Sequence, residues 1–199
     1  MMIINDKDIQ VVTPEQYPHL PKKMYALGNV DLLKERSLAV AGTRKIDSNS
    51  SVWLENAISD LPCDWVVTSG LALGTDAIAH KTALKYNIPT IAVLPSGIMN
   101  IVPRKNRTLA GRIVKEGGLL LSEYSYRQGI ESNYQYIQRN KIIVDISKSL
   151  LVPQFDKRSG TRSTVDFAQE QDKLIITQDS YYSGNQYILN DGSYKTFIK

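Results

Sequence analysis

From Ser37 onward, short runs of valine, isoleucine and leucine alternate with stretches of helical periodicity. The apolar runs are Leu38-Ala39-Val40-Ala41, Trp65-Val66-Val67, Ile91-Ala92-Val93-Leu94, Leu119-Leu120-Leu121, Leu150-Leu151-Val152 and Leu174-Ile175-Ile176. Between them, Val52, Trp53, Ala57, Ile58 and Leu61 recur at helix spacing. So do Ala77, Ile78, Ala83 and Leu84, and then Leu109, Ile113 and Val114. A strand that is apolar at every position is buried on both faces, as happens where helices cover both sides of a parallel sheet. Repeated strand–helix–strand units therefore predict an α/β fold with a doubly wound, mostly parallel sheet.

The opening segment, to about Arg36, lacks this alternation. Tyr17-Pro18, Leu20-Pro21 and Met24-Tyr25-Ala26-Leu27-Gly28 suggest an extended arm against the sheet edge, because proline restricts the chain to extended or turn geometry. The expected organisation is an N-terminal arm over 1–36 packed on one domain over 37–199. No low-complexity linker or internal repeat divides it further.

Composition narrows the class. Hydrophobic residues make up 42% and charged residues 22%, ordinary values for a folded domain. No stretch approaches the ~18–20 apolar residues of a membrane span. The first residues turn polar at once, against the order of a signal peptide. The single cysteine, Cys63, rules out an internal disulfide and a cysteine-cluster metal site. These features lead us to expect a cytoplasmic protein with no membrane partner. The formal charge of +4 attracts anions without identifying one. Arg104, Lys105, Arg107, Arg112 and Lys115 cluster in one stretch, and a solvated helix face accounts for such a cluster as well as a ligand does.

The candidate chemistry falls at strand ends, where doubly wound sheets bind ligands. Gly42-Thr43-Arg44 follows the first strand: glycine admits close approach, Thr43 offers a hydroxyl, and Arg44 can fork onto a phosphate. Ser69-Gly70 through Thr75-Asp76 opens a helix, where amides can face an anion, although Thr75 and Asp76 also suit a simple cap. Asp76 would repel phosphate, so capping or orienting a neighbour is its better role. His80, four residues on, is a structural residue or a ligand contact. Arg139-Asn140-Lys141 places two cations around an amide, suited to phosphate and sugar. Ser159-Gly160-Thr161 with Thr164 again sets small hydroxyl residues before a helix. Tyr134 and Tyr136 offer rings for packing or for base stacking. No nucleophile–base set or metal cluster stands out, so neither a catalytic residue, a metal nor a cofactor is expected.

Taken together these residues resemble the DNA-processing protein A (DprA/Smf) family, from about Tyr17 to Gly192. The strongest block is Ser69 to Asp76 with Ala79-His80 and Ala83-Leu84. It continues through Thr90 to Leu94 with Gly97, Pro103 and Asn106, then Leu119 to Tyr124, Arg139-Asn140, Ser159-Gly160 with Thr164, Gly184-Asn185 and Asp191-Gly192. The resemblance implies a Rossmann-like domain that binds single-stranded DNA, commonly as a homodimer, and helps load a RecA-type recombinase. It assigns the pocket to Gly42, Thr43, Arg44, Arg139, Asn140 and Lys141, then to Ser69, Gly70, Ser159, Gly160 and Thr164; the residues by themselves add His80 and Thr161 as lesser candidates. The family's arginine-asparagine-arginine is here Arg139-Asn140-Lys141, and its proline-glycine turn after the last strand is replaced around Gln178-Asp179. The expectation from these 199 residues is a minimal core, without the winged helix or the full N-terminal helical domain of many members. Other readings of the same fold are a sensor for a small nucleotide and a phosphoribohydrolase acting on nucleoside monophosphates. In the latter Gly160-Thr161 with Glu170 would echo the catalytic loop, but the fuller double-glycine loop is absent and no motif pairs Glu123 with Glu170.

Overall fold

The computed structural model describes residues 6–191 and 194–196. Its centre is a nine-stranded sheet in the order β1-β2-β6-β5-β4-β3-β7-β8-β9. The chain first builds β1 (Gln10–Val12), β2 (Met24–Gly28) and β3 (Arg36–Val40). Helix α1 (Ser48–Ser59), β4 (Trp65–Ser69), α2 (Thr75–Lys85), β5 (Thr90–Leu94), α3 (Arg107–Lys115) and β6 (Leu119–Ser122) then carry it to one side of β3. Next, α4 (Tyr134–Asp145) crosses back to β7 (Ser149–Val152) on the other side. From there α5 (Thr161–Glu170), β8 (Leu174–Thr177), α6 (Ser183–Asp191) and β9 (Tyr194–Thr196) follow. β3 through β9 run parallel, as the unbroken apolar runs require, and only β1–β2 and β2–β6 pair antiparallel.

Successive strand residues face opposite layers. Leu38, Val40, Val67 and Leu151 pack with Leu54 and Ile58 of α1 and Ala79 and Ala83 of α2. Ala39, Val66, Leu150 and Val152 pack with Ile142 and Ile143 of α4 and Val165 and Ala168 of α5. Helices thus cover both faces. Among the described residues, no helix is long and apolar enough to cross a membrane.

The opening segment, expected as an extended arm against the sheet edge, supplies strands at that edge. β2 pairs with β6 along Tyr25–Ser122 to Gly28–Leu119, so it extends the sheet. Tyr17, Leu20, Leu32 and Leu33 enter the same core as Ile142 and Leu150. Helix α6 and β9 were not expected from periodicity. Within α6, Asn185 is fully buried and holds the end of β7: its Nδ2 donates to Pro153 O at 3.0 Å, and its Oδ1 accepts from Phe155 N at 3.2 Å. Gly192 lies outside the described residues.

The direction of winding reverses at β3, whose neighbours are β4 and β7. Such a switch point leaves a crevice beyond the carboxyl ends of the strands. The loops 41–47, 70–74 and 153–160 meet there.

Candidate functional site

The loops at this edge are tied to one another by their own backbone. Thr43 N donates to Gln154 O at 2.8 Å, and Thr75 N and Oγ1 both donate to Thr43 O, at 3.1 and 3.0 Å. Thr161 Oγ1 donates to Gly42 O at 3.1 Å, joining the start of α5 to the loop after β3. Gly74 has φ +73°, and a Cβ there would stand 2.6 Å from the carbonyl oxygens of Thr43 and Arg44. The turn before α2 therefore presses on the loop that carries Arg44, and only glycine permits it.

A pocket opens beside this seam, lined by Arg44, Gly70, Leu73, Pro95, Pro103, Tyr136 and Arg139 among others. Its floor is charged but neutralised. Arg139 is buried on α4, with Nη1 donating to Gly70 O and lying 3.8 Å from Asp76 Oδ2. Asp76 accepts from Ala72 N at 3.1 Å. Burial pushes the Asp76 carboxyl up, against the pull of Arg139. Burial also pulls Arg139 down, against the pull of Asp76. Asp76 therefore orients Arg139, as its charge suggested. Asn106 fixes the same loop from the other side, donating to Leu71 O at 2.8 Å and Ala72 O at 3.1 Å.

The mouth of the pocket carries the accessible charge. Arg44 is exposed, forms no ion pair among the described residues, and sits 5.8 Å over the Tyr136 ring. A guanidinium stacked on an aromatic face is held without losing its donors. Arg104, Lys105 and Arg107, immediately after Pro103, are likewise exposed and carry no ion pair among the described residues. The basic cluster of the sequence thus begins next to a pocket-lining residue. Its adjacency to Pro103, and not its charge alone, was the usable signal.

On the β7 side, Asn140 turns toward α5, with Nδ2 3.4 Å from Gly160 O. Gly160 begins α5 without a side-chain cap, and a Cβ there would meet nothing within 4 Å. Ser159 Oγ and Thr164 Oγ1 beside it are buried without a hydrogen-bond partner among the described residues. Open space, a helix start and orphaned hydroxyls together suit an anionic oxygen ligand.

Three expected site residues stand elsewhere. Ser69 is fully buried and spends its hydroxyl on Val40 O at 2.7 Å, tying β4 to β3. His80 is also fully buried, with Nδ1 2.7 Å from Thr90 Oγ1. Desolvation, helped by Arg139, pulls it down to about 3, so it is a neutral core residue. Lys141 lies one helical turn from the C-terminus of α4, with Nζ 3.0 Å from both carboxylate oxygens of Asp145. Asp145 also accepts from Gln171 Nε2 at 2.7 Å, just before β8, which places the group at the amino ends of the strands. Three residues in a row on a helix cannot face one site, and Lys141 falls on the wrong side. Glu170 ends α5, opposite Gly160, and Glu123 is paired with Lys22 at 2.7 Å. Neither reaches the glycine loop as a phosphoribohydrolase would need.

A family model described as DNA recombination-mediator protein A matches residues 1–195. Protein Smf of Escherichia coli strain K12 is 36% identical over 157 residues, 78% of this chain and 42% of that protein. The structure of DNA processing protein A from Helicobacter pylori, solved to describe its single-stranded DNA binding mode, superposes with a TM-score of 0.87 at 27% identity. The match covers 96% of this chain and 91% of that one. DprA from Streptococcus pneumoniae gives 0.86 at 26% identity, over 97% and 75%. The chain spans about half the length of the first two curated relatives it matches, 42% and 46%.

Proposed function

The chain belongs to the DNA recombination-mediator protein A family, and from that membership we propose that it binds single-stranded DNA by its phosphates along the crevice, without chemistry on the strand. The observation that carries this reading is Arg44: an exposed guanidinium with no ion pair among the described residues, stacked on Tyr136 at the mouth of a pocket at the sheet's switch point. Arg44 neutralises one phosphate. Arg104, Lys105 and Arg107 extend the positive path beyond Pro103. Arg139 does not touch the strand; held by Asp76, it fixes the Gly70 carbonyl and so the pocket floor. The open start of α5 with Ser159, Gly160, Thr161 and Thr164, facing Gly42, Thr43 and Asn140, receives the next phosphate. Such contacts ignore base identity and weaken with salt.

The partners that follow are a RecA-type recombinase, to which the bound strand is presented, and a second copy of the chain. The recombination-mediator family supports the first. We take the arm 1–36 and the domain 37–199 as one binding unit, because Tyr17, Leu20 and Leu33 share a core with Ile142 and Leu150.

Fluorescence anisotropy with labelled oligo-dT, a matched duplex and a panel of mononucleotides, over a salt series, tests the core of this. Single-strand binding that weakens with salt and with Arg44→Ala is the expected result. Saturable binding of one mononucleotide that excludes DNA would replace the strand with a small nucleotide signal.

A further inference from the structure

The loop after β8 carries a tyrosine pair that the crevice leaves unused. Tyr181 is 83% exposed, yet it is held. Its ring lies on that of Tyr182 with centroids 4.4 Å apart and planes tilted by 31°. Tyr181 Oη donates to Tyr182 Oη at 3.0 Å, and Tyr182 Oη donates to Asp47 Oδ2 at 2.6 Å. Asp47 is fixed in turn: its carboxylate accepts from Ser50 N at 2.8 Å to cap α1, and its own N–H donates to Gln154 Oε1 at 2.9 Å. An aromatic ring left in water forgoes its burial, and ordering it costs side-chain freedom. A ring that is both exposed and pinned presents a fixed, open face, the arrangement that lowers the ordering cost of binding.

Its position relates it to Arg44. Asp47, on which Tyr182 rests, is in the same loop after β3, and the residues from Arg44 to Asp47 span at most ~11 Å. The charges around the pair are mixed. Lys45, Lys157 and Arg158 are exposed, but so are Asp156 and Asp179, and the Asp47 carboxylate accepts the Tyr182 hydroxyl. This surface has no strong claim on a phosphate, whereas a flat, neutral aromatic face is suited to a base.

Resting on the strand-binding role given above, we propose that Tyr181 is a stacking platform for a nucleobase of the strand whose phosphate sits at Arg44, with Tyr182 and Asp47 as its positioning residues. Every base has a π-face, so the platform tolerates any sequence. It sets a minimum strand length for full affinity, because the strand must run from Arg44 across the loop to reach it.

The test uses the full chain and a ladder of labelled oligo-dT from about 4 to about 16 nucleotides, the span of known single-strand sites. Wild type, Tyr181→Ala, Tyr181→Phe and Arg44→Ala are titrated at several salt concentrations. The platform predicts equal binding of the shortest oligomers by wild type and Tyr181→Ala. Above a threshold length the variant should lose about tenfold, a stacking-sized effect. The salt slope stays unchanged, and Tyr181→Phe, which keeps the ring on Tyr182 and gives up only the hydroxyl bond, loses far less than Tyr181→Ala. Abasic residues in the reaching segment weaken wild type to the same extent and add nothing to Tyr181→Ala. If Tyr181→Ala matches wild type at every length while Arg44→Ala is impaired, the platform is overturned and the crevice stands. A loss in Tyr181→Ala at all lengths with a reduced salt slope also overturns it, because the ring would then only prop the Arg44 loop. Wild type that binds no oligomer defeats the strand-binding role itself.

Discussion

The guanidinium of Arg139 occupies the place where a side chain on residue 70 would stand: a Cβ built on Gly70 overlaps Arg139 Nη1. Gly70 and Arg139 therefore come as a pair, one giving room for the other. Gly70→Ala should expel the guanidinium and leave Asp76 buried without its cation. Breaking a buried pair from one side costs about 3–5 kcal/mol, and urea denaturation would register it. Gly160→Ala is the contrasting variant, since its Cβ meets nothing. Its loss should stay within about 1 kcal/mol. Equal losses in the two would refute the pairing.

Arg44 and Lys141 separate accessible from occupied charge. Arg44→Ala should weaken oligo-dT binding about tenfold and reduce the salt slope by about 0.7 for the phosphate contact removed. Lys141→Ala should leave binding within about twofold, because its ammonium serves Asp145 at the opposite end of the strands. Its helix pair is worth only about 0.3–0.5 kcal/mol. A Lys141→Ala variant as weak as Arg44→Ala would bring Lys141 back to the strand.

His80 should leave a mark on acid stability. Its folded pKa lies near 3, below the ordinary 6.5, because burial and then Arg139 oppose the charged ring. Below about pH 6.5 the unfolded chain takes up a proton that the native state refuses. Stability from the neutral ring is thus complete above 6.5 and falls as pH drops toward 3, by up to about 1.4 kcal/mol per unit. His80→Gln should fall less steeply between about pH 6.5 and 5. Identical slopes for the two proteins would assign the acid limb to other groups.

The legible part of this fold was the part with one period. Leu38-Ala39-Val40 and Leu150-Leu151-Val152 are apolar on both faces, and only a covered parallel strand satisfies that pattern. Met24 to Gly28 became a strand with Tyr25 and Gly28 half-buried, so its pattern resembled an irregular segment. The site was legible by position, since its loops follow strands, but not by contact. Ser69 and His80 differ from Arg44 only in which way the chain turns them, and a histidine facing the core reads the same in sequence as one facing a ligand. For Arg139-Asn140-Lys141 the helical rotation decided the matter: Arg139 meets Gly70, Asn140 meets Gly160, and Lys141 meets Asp145.

Thr164 tests whether the start of α5 belongs to the ligand. Its side chain is almost wholly buried, and its hydroxyl has no partner among the described residues. A buried hydroxyl left unsatisfied costs about 1–3 kcal/mol, so Thr164→Val should fold at least as stably as wild type. If the hydroxyl instead faces a bound phosphate oxygen, the same variant should weaken oligo-dT binding severalfold, about the value of one neutral-to-charged hydrogen bond. Raised stability with weakened binding is the pattern of a group kept for its ligand. Unchanged binding would return Thr164 to the core and confine the phosphate path to the Arg44 side of the crevice.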